Sequence, residues 1–175
     1  MSLADLQASA PFGFARELII AMQPRRFTIR HPDGSPYLTR WVLRGCSSLT
    51  DHDPASPLQI YIHRLHTPDG DRHPHDHPWQ WSCGIILQGG YTELRRIGDR
   101  NVAITHTPGS CNRLDHGDYH SVVEVEPGTF TLFIAGREVS DWGFLVDGVH
   151  VPHRDYLQRQ DAQAMTHTED GRGWL

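Results

Sequence analysis

From Arg26 onward the chain is cut into short β-rich runs, each closed off by Pro, Gly, Asp or Asn, with no helical stretch between them. The runs are Phe27–Arg30, Tyr37–Leu43, Leu58–Leu65, Trp79–Leu87, Tyr91–Arg95, Val102–His106, Tyr119–Val125, Thr129–Ala135 and Trp142–Val146. Such a series predicts an all-β fold, an antiparallel sandwich or barrel in which closure or double-sheet packing protects the strand edges. Parallel α/β folds are excluded, and turns such as Gln88-Gly89-Gly90 and Glu126-Pro127-Gly128 favour hairpin connections. Ahead of the runs, residues 1–25 carry Phe12, Phe14, Leu18, Ile19, Ile20 and Met22, an apolar set that predicts one short helix after Pro11. This helix is expected on the outside of the domain or against a partner subunit. Residues 26–157 are assigned to the barrel, and residues 158–175, rich in Gln, Asp, Thr and Gly, to a weakly ordered or helical tail with Trp174 as an anchor.

A chain of 175 residues fits one domain with a sizeable core. Its 16 Lys plus Arg against 21 Asp plus Glu give a formal charge of -5, which offers phosphate backbones no broad attraction, so nucleic acid is not an expected partner. No apolar run approaches the roughly 20 residues that span a bilayer, and the reading is of a soluble, cytoplasmic protein without a membrane partner. Cys46, Cys83 and Cys111 are odd in number and far apart in sequence, which predicts reduced thiols and neither a disulfide framework nor a thiolate metal site. The count that stands out is 13 His, many of them between His52 and His120.

Within the segment Asp71 to Ser82, His73, His75 and His77 recur at intervals of two, so an extended strand turns all three to one side. Two imidazoles at that spacing can bind one ion. A third ligand must come from elsewhere, and Asp115-His-Gly-Asp-Tyr-His120 supplies His120 on a strand just after a tight turn. Three neutral imidazoles leave coordination positions open for water, oxygen or substrate.

These two segments resemble the paired motifs of the cupin superfamily. Setting His75 and His77 on the histidines of the first motif puts Ser82 at its Glu and Gly89 at its closing Gly, with Asp69 at the leading Gly position and Gly70 beside it. The second motif falls without gaps on Gly109, Asp115, Gly117, His120 and Glu124. The resemblance covers roughly residues 58 to 146 and implies a double-stranded β-helix, the jelly-roll barrel, with a metal held by His75, His77 and His120. Because serine is a poor donor to a divalent ion, Ser82 in place of the carboxylate implies a three-histidine site. That set is similar to the cysteine dioxygenase branch, in which iron(II) is held by three His. The branch's Ser-His-Tyr relay has no counterpart in Thr129–Ala135. A closer resemblance is to functionally unassigned bacterial and phage cupins with His-Asp-His-Pro-Trp, Leu-x-Gly-Gly-Tyr and Trp-Gly-Phe segments, here His75–Trp79, Leu87–Tyr91 and Trp142–Phe144.

Around the ligands, Arg64 is expected to fix a substrate carboxylate through a planar two-point contact. Glu124, on the His120 face of its strand, is read as an acceptor for a ligand N–H or as an ordinary salt bridge. Tyr91, Trp79 and Trp81 are candidate cavity walls. His73 is assigned to supporting or surface duty, His116 to the turn, His63 and His66 to structural roles, Asp76 to a turn or surface carboxylate, and Cys83 to a small buried hydrophobe. The function expected is an iron(II) oxygenase of a small polar molecule, with zinc, nickel and manganese as other candidate ions. The competing readings are a metal-dependent isomerase or hydrolase, with His73 or Glu124 as proton carrier, and a non-catalytic binding cupin. A homodimer is expected because the apolar N-terminal segment and the edge strands need covering.

Overall fold

The computed structural model describes residues 13–31, 33–45, 56–71 and 73–158. The predicted C-terminal tail, Trp174 and Cys46 lie outside the described residues. Helix α1 (Gly13–Met22) precedes eleven strands: β1 (Arg25–Arg30), β2 (Pro36–Arg44), β3 (Gln59–Leu65), β4 (Trp81–Gln88), β5 (Tyr91–Ile97), β6 (Arg100–His106), β7 (Cys111–Asp115), β8 (His120–Val125), β9 (Thr129–Ala135), β10 (Gly143–Val146) and β11 (Val149–Pro152). Residues 153–158 are helical. No described helix is long and apolar enough to cross a membrane.

All strand pairs are antiparallel. The larger sheet runs β1-β2-β3-β9-β4-β7, and the smaller pieces are β6-β5-β8 and β10-β11. The backbone of His75 joins those two pieces, bridging His120 on one side and Phe144 on the other. A second sheet, β6-β5-β8-His75-β10-β11, therefore faces the first, and the two make a jelly-roll sandwich.

Side-chain alternation divides the larger sheet's faces. Trp41, Ile62 and Phe130 point outward and pack with Ile19 of α1, joined by Leu18, Leu43, Leu87 and Leu132. The helix thus lies on the outside of the sheet, where its Leu18-Ile19 stripe covers apolar side chains from four strands. Inside, Ile86, Tyr91 and Val122 close one end of the sandwich with Leu65 and Val125. Tyr61, Trp79 and Ala135 pack with Val42 and Phe133 in a second inner cluster. The β4–β5 hairpin requires glycine at Gly89, whose φ is +64° and where a Cβ would stand 2.9 Å from the Cα of Thr129.

Two strands escape the sequence reading. In β7 the inward residues are Asn112 and Leu114, so only one apolar side chain marks the strand. β11 ends in Pro152 and, among the described residues, pairs with β10 alone. The expectation of reduced thiols is also corrected, because Cys83 and Cys111 form a disulfide. Their 28-residue separation hides a close approach: β4 pairs with β7 so that Cys83 faces Arg113 and Ile85 faces Cys111, placing the two cysteines diagonally on one face.

Replacing Ile62, which is fully buried between α1 and the sheet, by Ala is expected to cost about 2–5 kcal/mol, as large-to-small core changes do. The exposed Val149→Ala serves as control and should stay within about 0.5 kcal/mol of wild type in urea denaturation. Equal losses for the two would mean that α1 does not cover Ile62.

Candidate metal centre

His75 and His120 meet because their backbones pair. The His75 amide donates to the His120 carbonyl at 2.8 Å and the His120 amide returns the bond to His75 at 2.9 Å, a hydrogen-bonded antiparallel pair whose side chains share a face. His77, two residues on, turns to the same side. Asp76 between them points the other way. Its carboxylate accepts from the Gly143 amide at 2.8 Å, and its own amide donates to the Gly143 carbonyl at 3.0 Å. Asp76 is buried, which corrects the surface reading, and burial raises its carboxyl above the ordinary value. Gly143 must lack a side chain because a Cβ would come within 2.3 Å of the Val151 carbonyl oxygen. The Trp-Gly-Phe segment follows from this close approach.

One ligand nitrogen from each of His75, His77 and His120 lies within 4.8 Å of the others. The Nε2 atoms of His77 and His120 are 3.0 Å apart. Imidazole nitrogens about 2.0–2.1 Å from a tetrahedral ion stand roughly 3.3 Å from one another, so this donor set fits a single cation. Burial lowers the His75 pKa to about 4, with the neighbouring His120 acting in the same direction and Asp69 opposing it. Burial, followed by His120 and His75, holds His77 well below its ordinary value. Both rings are neutral near pH 7 and offer lone pairs.

The residue that orients His120 is Glu93 of β5, which the sequence reading did not single out. Its Oε2 stands 2.7 Å from His120 Nδ1, so Nδ1 carries the donated proton and Nε2 is left with the lone pair. Glu93 is fully buried. Burial alone would raise its carboxyl, but the His120 hydrogen bond, Arg95 and the Asn112 hydrogen bond together pull it down to about 2. Arg95 pairs with Glu93 Oε1 at 2.5 Å, and Asn112 Nδ2 donates to Oε2 at 2.8 Å. On the His75 side, Asp69 Oδ2 stands 3.6 Å from Nδ1 and accepts the Val122 amide at 2.8 Å. A Glu in a strand otherwise marked by Tyr and Leu was the available signal for Glu93, since its parity matches that of Tyr91.

The other candidates separate by strand parity. Tyr91 is buried in the cavity wall, its oxygen accepting from Asn112 at 2.8 Å, and burial raises its phenol. Trp79 lines the cavity with its ring stacked 5.5 Å from that of His77. Trp81 turns outward and lies under Arg113 at 5.6 Å. Glu124 is exposed rather than beside His120, because a bulge puts Val122 opposite Glu93 but Glu124 opposite Thr92. That extra residue reverses the expected face. Arg64 is likewise outside: its neighbour His63 points in, and the Arg64 guanidinium lies 5.7 Å over the Phe130 ring beneath α1. His73 shares a 2.9 Å hydrogen bond with the Tyr156 hydroxyl, His66 with Thr39 at 2.9 Å, and His116 is exposed in its turn. Ser82 is buried in the cavity wall at the position the first motif gives to Glu.

The three imidazoles open into a cavity of about 130 Å³ between the sheets. Drug-sized ligand sites run to roughly 300–1,000 Å³, so this space suits a molecule of few heavy atoms.

Solved structures match the chain at low sequence identity. Streptomyces albus HEPD, solved with 2-hydroxyethylphosphonate and Fe(II) bound, matches with a TM-score of 0.51 and 18% identity over 67% of this chain and 25% of its own. KdgF from Halomonas sp. matches with a TM-score of 0.41 and 18% identity over 65% of this chain and 95% of its own. The chain spans 56% of Fe(II)-HppE, at 13% identity and a TM-score of 0.44, and 35% of tomato vicilin, at 11% and 0.49. No protein-family model matches the chain, and no curated protein matches it in sequence. The fold is that of the cupins, an antiparallel jelly roll with a short helix.

Glu93→Gln is expected to weaken metal binding by about 10–100-fold, the usual effect of losing a carboxylate behind a ligand histidine. Glu124→Gln is expected to leave it unchanged, both read by calorimetric titration with zinc(II). In metal-free protein the Glu93 carboxyl sits at about 2 against an ordinary 4.5. Its stabilisation is complete above the higher value and lost as pH falls through the lower. The stability gap between wild type and Glu93→Gln should therefore narrow from about pH 4.5 downward in stepped-pH denaturation. A gap independent of pH would contradict the charge assignment.

Proposed function

We propose that this chain is a metal-dependent cupin enzyme, a non-haem iron(II) oxygenase of a small polar molecule, with His75, His77 and His120 as its metal ligands. The observation that carries the reading is the 3.0 Å approach of the His77 and His120 Nε2 atoms, with Glu93 fixing the tautomer behind His120. Two neutral imidazoles aimed at one point hold a cation better than they hold each other. Imidazole donors suit iron, zinc, copper and nickel alike. The choice of iron(II) is supported by the likeness of the run from His75 to Gly89 to the cysteine dioxygenase branch. When bound, the ion supplies Lewis acidity and redox access to oxygen.

The chain's own residues do the rest. His75, His77 and His120 would hold the ion, and the cavity beside them would be left for small molecules. Trp79 and Phe133, with ring centroids 5.2 Å apart, form an apolar wall beside His77 that excludes water from that side. Ser82, at the position of a carboxylate ligand, adds no negative charge, so the ligand set as a whole is neutral.

Untagged protein is expected to bind an equivalent of iron(II) per chain and to lose it in His75→Ala, His77→Ala and His120→Ala, measured by elemental analysis after dialysis. Iron-loaded wild type should consume oxygen when given small polar substrates. Tight zinc or nickel with no oxygen uptake after iron loading would overturn the oxygenase reading. Oxygen-independent turnover would favour an isomerase or hydrolase.

A further inference from the structure

Gly84 stands in the middle of β4 on the wall of the cavity, and the backbone does not require a glycine there. Its φ lies outside the left-handed region. Glycine weakens a strand interior, where it marks a bulge, a bend, or the close approach of another backbone or a ligand. The register of β4 shifts between Ile86 and Gln88, whereas Gly84 pairs regularly with Asn112 of β7 and Phe133 of β9. Apart from its chain neighbours, a Cβ at Gly84 would meet only Tyr91 Oη at 3.9 Å and Phe133 Cδ2 at 4.0 Å among the described residues. Those are ordinary van der Waals distances, unlike the clashes that force glycine at Gly89 and Gly143. Of the reasons for a strand glycine, the approach of a ligand remains.

The atom across that gap has a proton to give. Asn112 Oδ1 accepts from Arg95, so Nδ2 is its donor, and the amide hydrogens go to Glu93 Oε2 at 2.8 Å and Tyr91 Oη at 2.8 Å. Tyr91 Oη is therefore an acceptor toward Asn112, and its own O–H is left over. Among the described residues nothing accepts it. Tyr91 is 7% exposed, and a buried O–H without an acceptor is costly. An oxygen of a ligand seated over Gly84 would take that proton. The place adjoins the imidazoles: the Phe133 ring lies 6.3 Å from that of His77, and Asn112 shares Glu93 with His120.

On the reading that this cavity is the substrate site, we propose that Gly84 and Tyr91 form its specificity subsite. Gly84 leaves room for the body of the substrate, and the Tyr91 hydroxyl donates to an oxygen on it. The substrate class is a small molecule with two oxygen functions, one for the ion and one for Tyr91.

The test is calorimetric titration of zinc-loaded wild type, Tyr91→Phe and Gly84→Val with two pairs of acids of matched size and charge, glycolate with propionate and 3-hydroxypropionate with butyrate. Formate is the small control. Wild type is expected to prefer the hydroxy acid in at least one pair by about fivefold, the worth of one hydrogen bond, and Tyr91→Phe to bring that pair within about twofold. Gly84→Val should weaken both members of the pair by about tenfold or more and change formate by less than about twofold. In crystals of the metal-free protein, a water is expected over Gly84 within hydrogen-bonding distance of Tyr91 Oη in wild type, and displaced in Gly84→Ala. A preference that survives Tyr91→Phe, undiminished binding in Gly84→Val, or no millimolar binding of any of the acids would each overturn the proposal. So would a crystal structure in which Tyr91 donates to a protein acceptor or another side chain lies over Gly84, or a urea midpoint of Gly84→Ala below that of wild type, which would make the glycine structural. Should Gly84→Val fail to fold by circular dichroism, Gly84→Ala takes its place with butyrate as the probe. Wild type that takes up no zinc would overturn the metal-centre reading alone, and the metal-free crystals would still judge Gly84 and Tyr91.

Discussion

The reciprocal backbone hydrogen bonds between His75 and His120 hold together both the second sheet and the candidate site. Without them β6-β5-β8 and β10-β11 are two unconnected fragments, each too narrow to face a six-stranded sheet. With them, a single residue of extended chain acts as the missing strand, and its side chain falls beside that of its partner. The geometry of the ligands is a consequence of sheet pairing. Two of the three imidazoles are therefore placed by rigid backbone rather than by a loop that must order on binding, and the ordering entropy is spent in folding.

One buried and two half-buried imidazoles beside a buried carboxylate are an electrostatic liability unless each is satisfied. The solution is directional. Glu93 takes its contacts from Arg95, Asn112 and His120 Nδ1, and this leaves the His120 Nε2 lone pair facing the other two imidazoles. His75 and His77 stay neutral through burial, so no repulsion between protonated rings has to be overcome. Removing Glu93 would take the carboxylate from the Arg95 guanidinium, leaving it only the Arg113 carbonyl and Asn112 amide oxygens, and would leave the His120 Nδ1–H without its acceptor, a cost larger than that of one lost hydrogen bond.

Much of this was legible in the chain. The β-rich runs, the helix after Pro11 and the outward position of that helix all follow from residue type and periodicity, because burial on one face writes itself into the alternation. Legibility failed where alternation breaks or carries polar residues. Glu124 was read inward because His120 and Val122 are inward, but the bulge at Val123 adds a residue and reverses the face. Strand β7 was missed because Asn112, one of its two inward residues, is there to bond Glu93 and Tyr91 rather than to fill volume. The disulfide depends on a pairing of β4 with β7 that no local signal encodes. Arg64 and Arg40 were indistinguishable by type. Only the register, which places His63 on the inner face and opposite Arg40, separates the arginine under the helix from the one in the cavity.

That separation explains how a small sandwich tolerates so polar an interior. The apolar residues under α1 lie on the outer face of the larger sheet, where Ile19, Trp41, Ile62 and Phe130 pack. Ile86, Tyr91 and Val122 close one end of the inside. Tyr61, Trp79 and Ala135 pack at a second inner cluster, and between the two the inner surface has room for Arg40, His63, Thr131 and Asn112. The helix is thus more than a cover for an exposed face. By moving apolar burial to the outside of the sheet, it lets the inside specialise in binding. Weakening the α1 contact should then reach the cavity only through global stability, because no residue of that outer cluster lines the site.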